Sequence, residues 1–134
     1  MTPPGDADKT EKITINLGLV DLGQIDLLVS EGFFSNRTDF IRTAIRTELA
    51  QRAQTLNQTV ARKTLVLGTR HLSRTELESL RDAGEQLELR VLGLATIAGD
   101  VTPELALATI SHVEVLGAFR AGSAVKAALK PRTT

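Results

Sequence analysis

The feature that most constrains this chain is a strand pattern near its amino end with no neighbouring strand to pair with. From Lys12 to Leu17 polar and apolar residues alternate, a period typical of a half-buried strand. The polar members are Lys12, Thr14 and Asn16, and the apolar members are Ile13, Ile15 and Leu17. An isolated strand leaves its backbone donors and acceptors unpaired. We therefore expect two copies of the chain to pair these strands antiparallel about a two-fold axis.

Two helix patterns follow the strand almost without a spacer. The first ends near Gly32, a common helix stop, while Gly18 and Gly23 leave its start open. The second begins with a capping pattern, Asn36 three residues before Asp39. Apolar residues at helical spacing are Leu22, Ile25, Leu28 and Val29 in the first helix, and Phe40, Ile41, Ala44, Ile45 and Leu49 in the second. The four helices of a dimer are expected to pack beneath the paired strands.

This order of elements resembles the ribbon-helix-helix repressors of the MetJ, Arc and CopG class. The segments that carry the resemblance are ITINL, IDLLVSEG, FFSNRTD and FIRTAIRTEL. The resemblance implies that the outward face of the paired strands enters the major groove of double-stranded DNA. Lys12, Thr14 and Asn16 would then contact base edges, and their donors and acceptors suit that role. The same residues would also suit an ordinary solvent-facing strand.

The resemblance also implies a phosphate contact at the amino end of the second helix. There the unsatisfied amides and the positive end of the helix dipole favour an anion. In this chain the role falls to the backbone around Ser35, Asn36 and Arg37. Asn36 would equally serve as a plain helix cap, and the two roles can coexist.

Charge balance and aromatic content narrow the choice of partner. With 16 basic and 16 acidic residues the formal net charge is zero, which argues against a strongly basic nucleic-acid binder. Residues 36–63, however, include six basic and two acidic residues. The local excess is four positive charges, and a dimer would have twice that number. The basic residues are Arg37, Arg42, Arg46, Arg52, Arg62 and Lys63, and the acidic ones are Asp39 and Glu48. A solvated helix face would have the same composition. The chain has four Phe and no Tyr or Trp, so duplex DNA is favoured over stacked single strands.

Several classes of protein are excluded or disfavoured by the residues present. The chain has no cysteine, which removes disulfides and thiolate chemistry and fits a cytoplasmic location. No apolar run approaches the ~20 residues that cross a bilayer, and the polar residues 1–10 are expected to form a flexible arm. His71 and His112 lack a second ligand at a short offset, so no metal site is predicted. Phosphate loops, nucleophile elbows and hydrolytic triads are missing from the pattern, and we expect neither enzyme activity nor a cofactor.

The carboxyl-terminal half contains an internal repeat. The tripeptide Val-Leu-Gly occurs at Val66, Val91 and Val115, at intervals of 25 and 24 residues. A short strand ending in Gly, a turn and a helical or irregular return would form one unit of a small solenoid. Its strands would bury Leu87, Leu89, Val91 and Leu94 in one turn and Val113, Val115 and Ala118 in the next. An ordinary small α+β domain with an accidental repeat is the alternative.

The open ends of so short a solenoid need a cover. Candidates are the final helix, predicted from Ser123 to Leu129, the same domain of the dimer mate, or another dimer stacked end to end. Within the repeat, Thr102-Pro103-Glu104 predicts a helix start with Pro in the first turn. Before it, the apolar spacing through Ala53, Leu56 and Val60 extends the second helix to about residue 61, or else this segment is a polar linker.

These observations predict an α+β chain in four parts. They are a flexible arm at 1–10, a ribbon-helix-helix domain at 11–56 that forms an intertwined dimer, a linker or helix extension at 57–63, and a repeat-like α/β domain at 64–130. The predicted function is a homodimeric, sequence-specific regulator of transcription, a repressor, whose carboxyl-terminal half self-associates. An antitoxin whose carboxyl-terminal half binds a protein partner is the alternative, and an architectural DNA-binding protein is a third possibility.

Overall fold

The computed structural model describes residues 9–134, and over this range the chain forms six α-helices and one three-stranded parallel sheet. The helices are α1 Leu19–Ser30, α2 Arg37–Gln51, α3 Ala53–Lys63, α4 Arg74–Asp82, α5 Pro103–Thr109 and α6 Ser123–Leu129. The strands are β1 Val66–Leu72, β2 Leu87–Ile97 and β3 Ile110–Arg120. The described residues divide into two compact units, an amino-terminal unit that ends at Gln58 and a carboxyl-terminal unit, Thr59–Thr134. Most of the predicted arm, 1–10, lies outside the described residues.

The two amino-terminal helices form where the sequence predicted them. Helix α1 begins at Leu19, directly after Gly18, so the second glycine, Gly23, is accommodated inside the helix. Gly32 ends it with a φ of 86°. The N–H of Phe33 donates to the carbonyl of Leu28 at 3.0 Å, which satisfies one of the last carbonyls of the helix.

The predicted continuation of the second helix to about residue 61 is wrong in one respect. Helix α2 ends at Gln51, and a separate helix, α3, runs from Ala53 to Lys63. Residues 57–63, for which a linker and a helix were both open, are helical. Thr64 ends α3 in the left-handed region, with a φ of 53°. The N–H of Thr64 donates to the carbonyl of Ala61, and the N–H of Leu65 donates to that of Val60. Glycine usually occupies this position at a helix end, and here it is a β-branched residue.

Residues 11–18 form no helix or strand in the single chain. A strand is defined by its pairing, and the prediction supplied the partner strand from a second copy. The apolar members of the segment are exposed, Ile13 by 75% and Ile15 by 61%. The strand at Lys12 to Leu17 therefore stays a prediction that depends on the dimer.

The repeated tripeptide sets the register of the parallel sheet. Strand order is β1-β2-β3, and Val66, Val91 and Val115 lie side by side, as do the leucines and glycines that follow them. Each strand is followed by a helix, α4, α5 and α6 in turn. The repeat is therefore structural, and each unit is one strand and one helix. The expectation that each strand ends at its Gly is wrong, because every strand continues past it to the next polar turn.

The three glycines lie side by side in the sheet and adopt a backbone conformation that other residues rarely adopt. Gly68, Gly93 and Gly117 have φ values of 121°, 139° and 118°, which disfavour any residue with a Cβ. A Cβ on Gly93 would lie 2.1 Å from the carbonyl oxygen of Gly68, and one on Gly117 would lie 2.1 Å from that of Gly93. The backbones approach so closely at Gly93 and Gly117 that only glycine fits there, whereas a Cβ on Gly68 would meet nothing within 4 Å.

The core of the carboxyl-terminal unit lies between the sheet and a layer formed by α4, α5 and α6. Alternate strand residues, among them Leu89, Val91 and Val113, are buried against helix residues such as Leu77 and Leu105. Leu94 and Ala118, which were predicted to be buried with them, are only partly buried because strand alternation places them on the opposite face.

The last two helices of this unit begin as predicted, and the chain end returns to the edge of the sheet. Helix α6 spans Ser123–Leu129 as predicted, and α5 begins as predicted with Thr102, whose hydroxyl accepts the N–H of Leu105 at 3.2 Å. A short 3₁₀ turn, Lys130–Arg132, then leads the chain back to β3, where the N–H of Thr134 donates to Val113 at 2.9 Å. The terminal residues thus cover part of one sheet edge.

Candidate nucleic-acid interface

The amino end of α2 is held by a reciprocal cap. The side-chain oxygen of Asn36 accepts the N–H of Asp39 at 2.8 Å, and the Asp39 carboxylate accepts the N–H of Ser35 at 2.9 Å. Phe34 and Phe40 pack edge to face across this end, with ring centroids 5.0 Å apart. The predicted cap is confirmed. The N–H of Ser35, one of the groups predicted to hold a phosphate, is already hydrogen-bonded.

Arg37 is engaged within the amino-terminal unit. Its Nε lies 2.7 Å from Oδ1 of Asp26 and its Nη2 lies 2.8 Å from Oδ2, so the two side chains form a bidentate pair between α2 and α1. The hydrogen bond from Arg37 lowers the pKa of Asp26, and the same bond raises the pKa of Arg37. The guanidinium is therefore committed to joining the helices, and only the backbone of Arg37 remains to face an anion.

The sequence placed Arg42 and Arg46 in the basic window but did not assign them to the phosphate site. An open pocket at the start of α2 is lined by Ser35, Asn36, Thr38, Asp39, Arg42, Thr43 and Arg46. Thr38, Arg42 and Arg46 recur every four residues and so share one face of the helix. Among residues 9–134, no carboxylate forms an ion pair with Arg42 or Arg46. The four-residue spacing was the signal that could have separated these two arginines from the rest of the basic window.

Two other members of the predicted basic window, Arg52 and Lys63, are paired with acids. Arg52 binds Glu48 at 2.7 Å and Lys63 binds Glu114 at 2.9 Å. Together with the Arg37 pair, these contacts neutralise half of the six basic residues counted between 36 and 63. The predicted excess of four charges is thus less concentrated than the sequence implied. The positive charge of the basic window that has no acidic partner within the described chain is most concentrated at Arg42 and Arg46.

The amino-terminal unit exposes the residues that would line a dimer interface. Of residues 9–58, only Ile25 is buried. The exposed large apolar side chains in this range are Ile13, Ile15, Leu17, Leu19, Val20, Leu27, Phe33, Ile45, Leu49 and Leu56. They include the predicted apolar side of the strand and the far end of the predicted apolar face of α2. A domain with one buried residue cannot supply its own core.

The three predicted base readers lie in the exposed segment before α1. Lys12, Thr14 and Asn16 are all exposed, as are the apolar residues between them. In the single chain they precede α1, and among residues 9–134 no hydrogen bond or ion pair joins them to Ser35 or Asn36. Pairing with the strand of a second copy would place the polar residues on one side and the apolar residues on the other. The three predicted base readers would share one surface only in that paired strand.

The possible metal ligands of the described chain do not cluster. Residues 9–134 contain no group of three or more His, Cys, Asp or Glu residues that could hold a metal ion. His71 lies 2.6 Å from the Thr96 hydroxyl, and His112 lies 2.8 Å from that of Thr134. None of the helices in this range is long and apolar enough to span a membrane.

Comparison with known proteins covers both units. The model of the Ribbon-Helix-Helix transcriptional regulator family matches residues 8–126. The match therefore continues well beyond the predicted strand, α1 and α2, through the whole parallel sheet and into α6. Neither a curated protein nor a solved structure matches the chain.

Proposed function

Because the chain belongs to the Ribbon-Helix-Helix transcriptional regulator family, whose members bind DNA, we propose that it acts as a homodimeric, sequence-specific repressor of transcription. The strands at Lys12 to Leu17 of two copies would pair antiparallel and enter the major groove. Occupation of a promoter would then block transcription. The carboxyl-terminal unit would hold the protein in its assembled state.

The single observation that supports the proposed dimer is the exposure of apolar side chains in the amino-terminal unit. Ile13, Ile15 and Leu17 are 75%, 61% and 38% exposed, so their burial in both copies would contribute about 5 to 10 kcal/mol, at about 1.5 to 3 kcal/mol for each fully exposed side chain. The entropic cost of association is about 4 to 15 kcal/mol. The strand alone thus comes close to balancing that cost. Burial of the exposed helix residues, among them Ile45 and Leu49, would supply the remaining free energy of association.

Base recognition follows from the same pairing. With the apolar residues turned towards the four helices, Lys12, Thr14 and Asn16 would all face outward. A lysine donates to the acceptors of guanine, and an asparagine can both donate and accept at adenine. Thr14 can contribute a hydroxyl and a methyl group. Specificity would therefore lie in these three residues.

Phosphate binding is assigned to the start of α2 and to two arginines on the same face. The backbone around Ser35, Asn36 and Arg37 supplies the positive end of the helix dipole, and the amides of Asn36 and Arg37 would meet the anion, since the N–H of Ser35 is held by Asp39. Arg42 and Arg46 line the adjoining pocket and supply positive charge that no carboxylate of residues 9–134 pairs with. The side chain of Arg37 holds Asp26 and is given no part in DNA contact.

The antitoxin alternative ranks second. A partner-binding tail of that kind would be expected to lack a core and to fold on its partner. Residues 59–134 instead enclose a core of their own, built from buried side chains of the sheet and helices. Co-purification of a small protein encoded beside this chain would favour the antitoxin.

The first test is a selection from a genomic DNA library with the full-length protein, read by sequencing. The wild type should enrich an inverted or direct repeat, and a variant with Lys12, Thr14 and Asn16 all changed to Ala should not. Asn16→Ala alone should relax preference at one position in each half-site, at a cost of about 1 to 3 kcal/mol in discrimination. A motif that survives the triple change would mean that the strand does not read DNA.

A second test separates the phosphate role of Asn36 from its role as a cap. Asn36→Asp keeps a good cap but places a negative charge at the proposed anchor. Stability should be unchanged, and affinity for DNA should fall. Unchanged affinity would remove the anchor from this helix end.

The two arginines can be tested through the salt dependence of binding. In a dimer, Arg42→Ala removes two charges, so the slope of log K against log salt should become shallower by about 2. Arg52→Ala is the matched control, since Arg52 is paired with Glu48 and lies outside the pocket. Equal effects of the two changes would contradict the assignment of Arg42 to phosphate.

A further inference from the structure

Among residues 9–134, a helix layer covers one face of the parallel sheet and none covers the other. We call this the outer face and define it by two rows, Leu67-Leu92-Leu116 and Thr69-Leu94-Ala118, which the strand register places side by side. Leu67 is 68% exposed and Leu116 is 46% exposed, while Leu92 and Leu94 are partly buried. The opposite face carries Leu89, Val91 and Val113 and packs against α4, α5 and α6.

An uncovered apolar face is unusual for a parallel sheet, since such sheets are normally covered on both sides. The polar rows that border it are already satisfied within the chain. On one side Arg90 binds Glu114 at 3.0 Å, and on the other His71 binds Thr96 at 2.6 Å. An apolar centre between two internally bonded polar rows has the anatomy of a protein interface.

We propose that the outer face packs against the same face of the second copy within the dimer. This inference rests on the dimer of the proposed function. A row of three identical leucines matches itself under a two-fold axis, because each leucine can meet another of the same size and shape. No partner of different chemistry is needed to explain its composition.

The size of the outer face argues for a contact inside a tethered dimer. Three strands about 4.8 Å apart, with the two rows spanning about 13 Å along each strand, give a surface of about 200 Å². A stable independent interface buries about 800 Å² on each partner, so this face is too small to hold two free molecules together. Here it is tethered to the dimerising helices by short connections, since one residue joins α2 to α3 and two join α3 to β1. Tethers of this kind give effective concentrations near 1 mM.

The test uses the absence of cysteine from the chain. Full-length Leu92→Cys is treated with a bismaleimide whose spacer is about 10 Å, the distance between packed sheets. Ser79→Cys is the control, since Ser79 is exposed on α4, in the layer that covers the other face. Crosslinked dimer should form at least tenfold faster from Leu92→Cys, at a rate independent of protein concentration between about 1 and 10 µM.

Equal rates for the two variants would overturn the proposal. A rate that rises in proportion to protein concentration would also overturn it, because the contact would then lie between separate dimers. Adding Leu67→Asp and Leu116→Asp to Leu92→Cys should return crosslinking to the control rate, and an undiminished rate would count against the leucine row. The DNA selection is run on the same Leu92→Cys protein. Crosslinking without a DNA motif would count only against the proposed function, and a motif without crosslinking would count only against this contact.

Discussion

Replacement of Gly93 by alanine should destabilise the carboxyl-terminal unit far more than the same change at Gly68. Both glycines have positive φ, 139° and 121°, so both variants incur a backbone cost of about 1 to 2 kcal/mol. They differ in their surroundings. A Cβ at Gly93 would lie 2.1 Å from the Gly68 carbonyl oxygen, whereas a Cβ at Gly68 would meet nothing within 4 Å.

The extra cost at Gly93 follows from that contact. Relief requires β1 and β2 to separate locally by about 1 Å, which lengthens hydrogen bonds of about 2.9 Å beyond their useful range. The loss of about two ladder bonds and the strain of overpacking add about 2 to 3 kcal/mol. We therefore expect Gly93→Ala to cost about 3 to 5 kcal/mol and Gly68→Ala about 1 to 2 kcal/mol.

Amide hydrogen exchange of the full-length protein measures this difference within the sheet itself. The free energy of opening at protected β2 amides should fall by the larger amount in Gly93→Ala, while amides of α1 and α2 keep their wild-type values. Equal losses in the two variants would refute the argument from close backbone approach. A loss in neither would also refute the argument from φ.

Three further changes probe single contacts. Thr64→Gly should raise the free energy of unfolding by about 1 kcal/mol, because Thr64 has a φ of 53°; an unchanged urea midpoint would contradict this. Asn36→Ala should lower it by about 1 kcal/mol through loss of the α2 cap, and rescue of stability by Asn36→Asp is the check. The hydrogen bond from Lys63 lowers the pKa of Glu114, so the stability it confers is complete above its ordinary pKa of 4.5 and is lost as the pH falls through the lower folded value. The difference in urea midpoint between wild type and Glu114→Gln should therefore be present at pH 6 and vanish in strong acid; a difference that persists in strong acid would exclude this ionisation as its source.

Local rules in the sequence were sufficient for the helix ends and the repeat. The cap formed by Asn36 and Asp39, the stop at Gly32 and the start at Thr102 depend on residues within a few positions of one another, so short-range chemistry specifies them. The Val-Leu-Gly spacing likewise predicted stacked units, because equal units that stack in register place equal residues side by side. The break at Arg52 was missed, since apolar spacing continues across it without interruption.

The tertiary structure decided which charges are free and which apolar residues are covered. Arg37, Arg42 and Arg46 look alike in sequence, but Asp26 lies within reach of Arg37 only, and that contact joins residues eleven positions apart. Val91 is buried, while the neighbouring Leu92 faces the uncovered side of the same strand. Sequence determines the alternation of such side chains, but only the packing of the helices onto one face of the sheet determines which set meets water. Burial and charge pairing depend on contacts between distant parts of the chain, and local pattern carries no information about them.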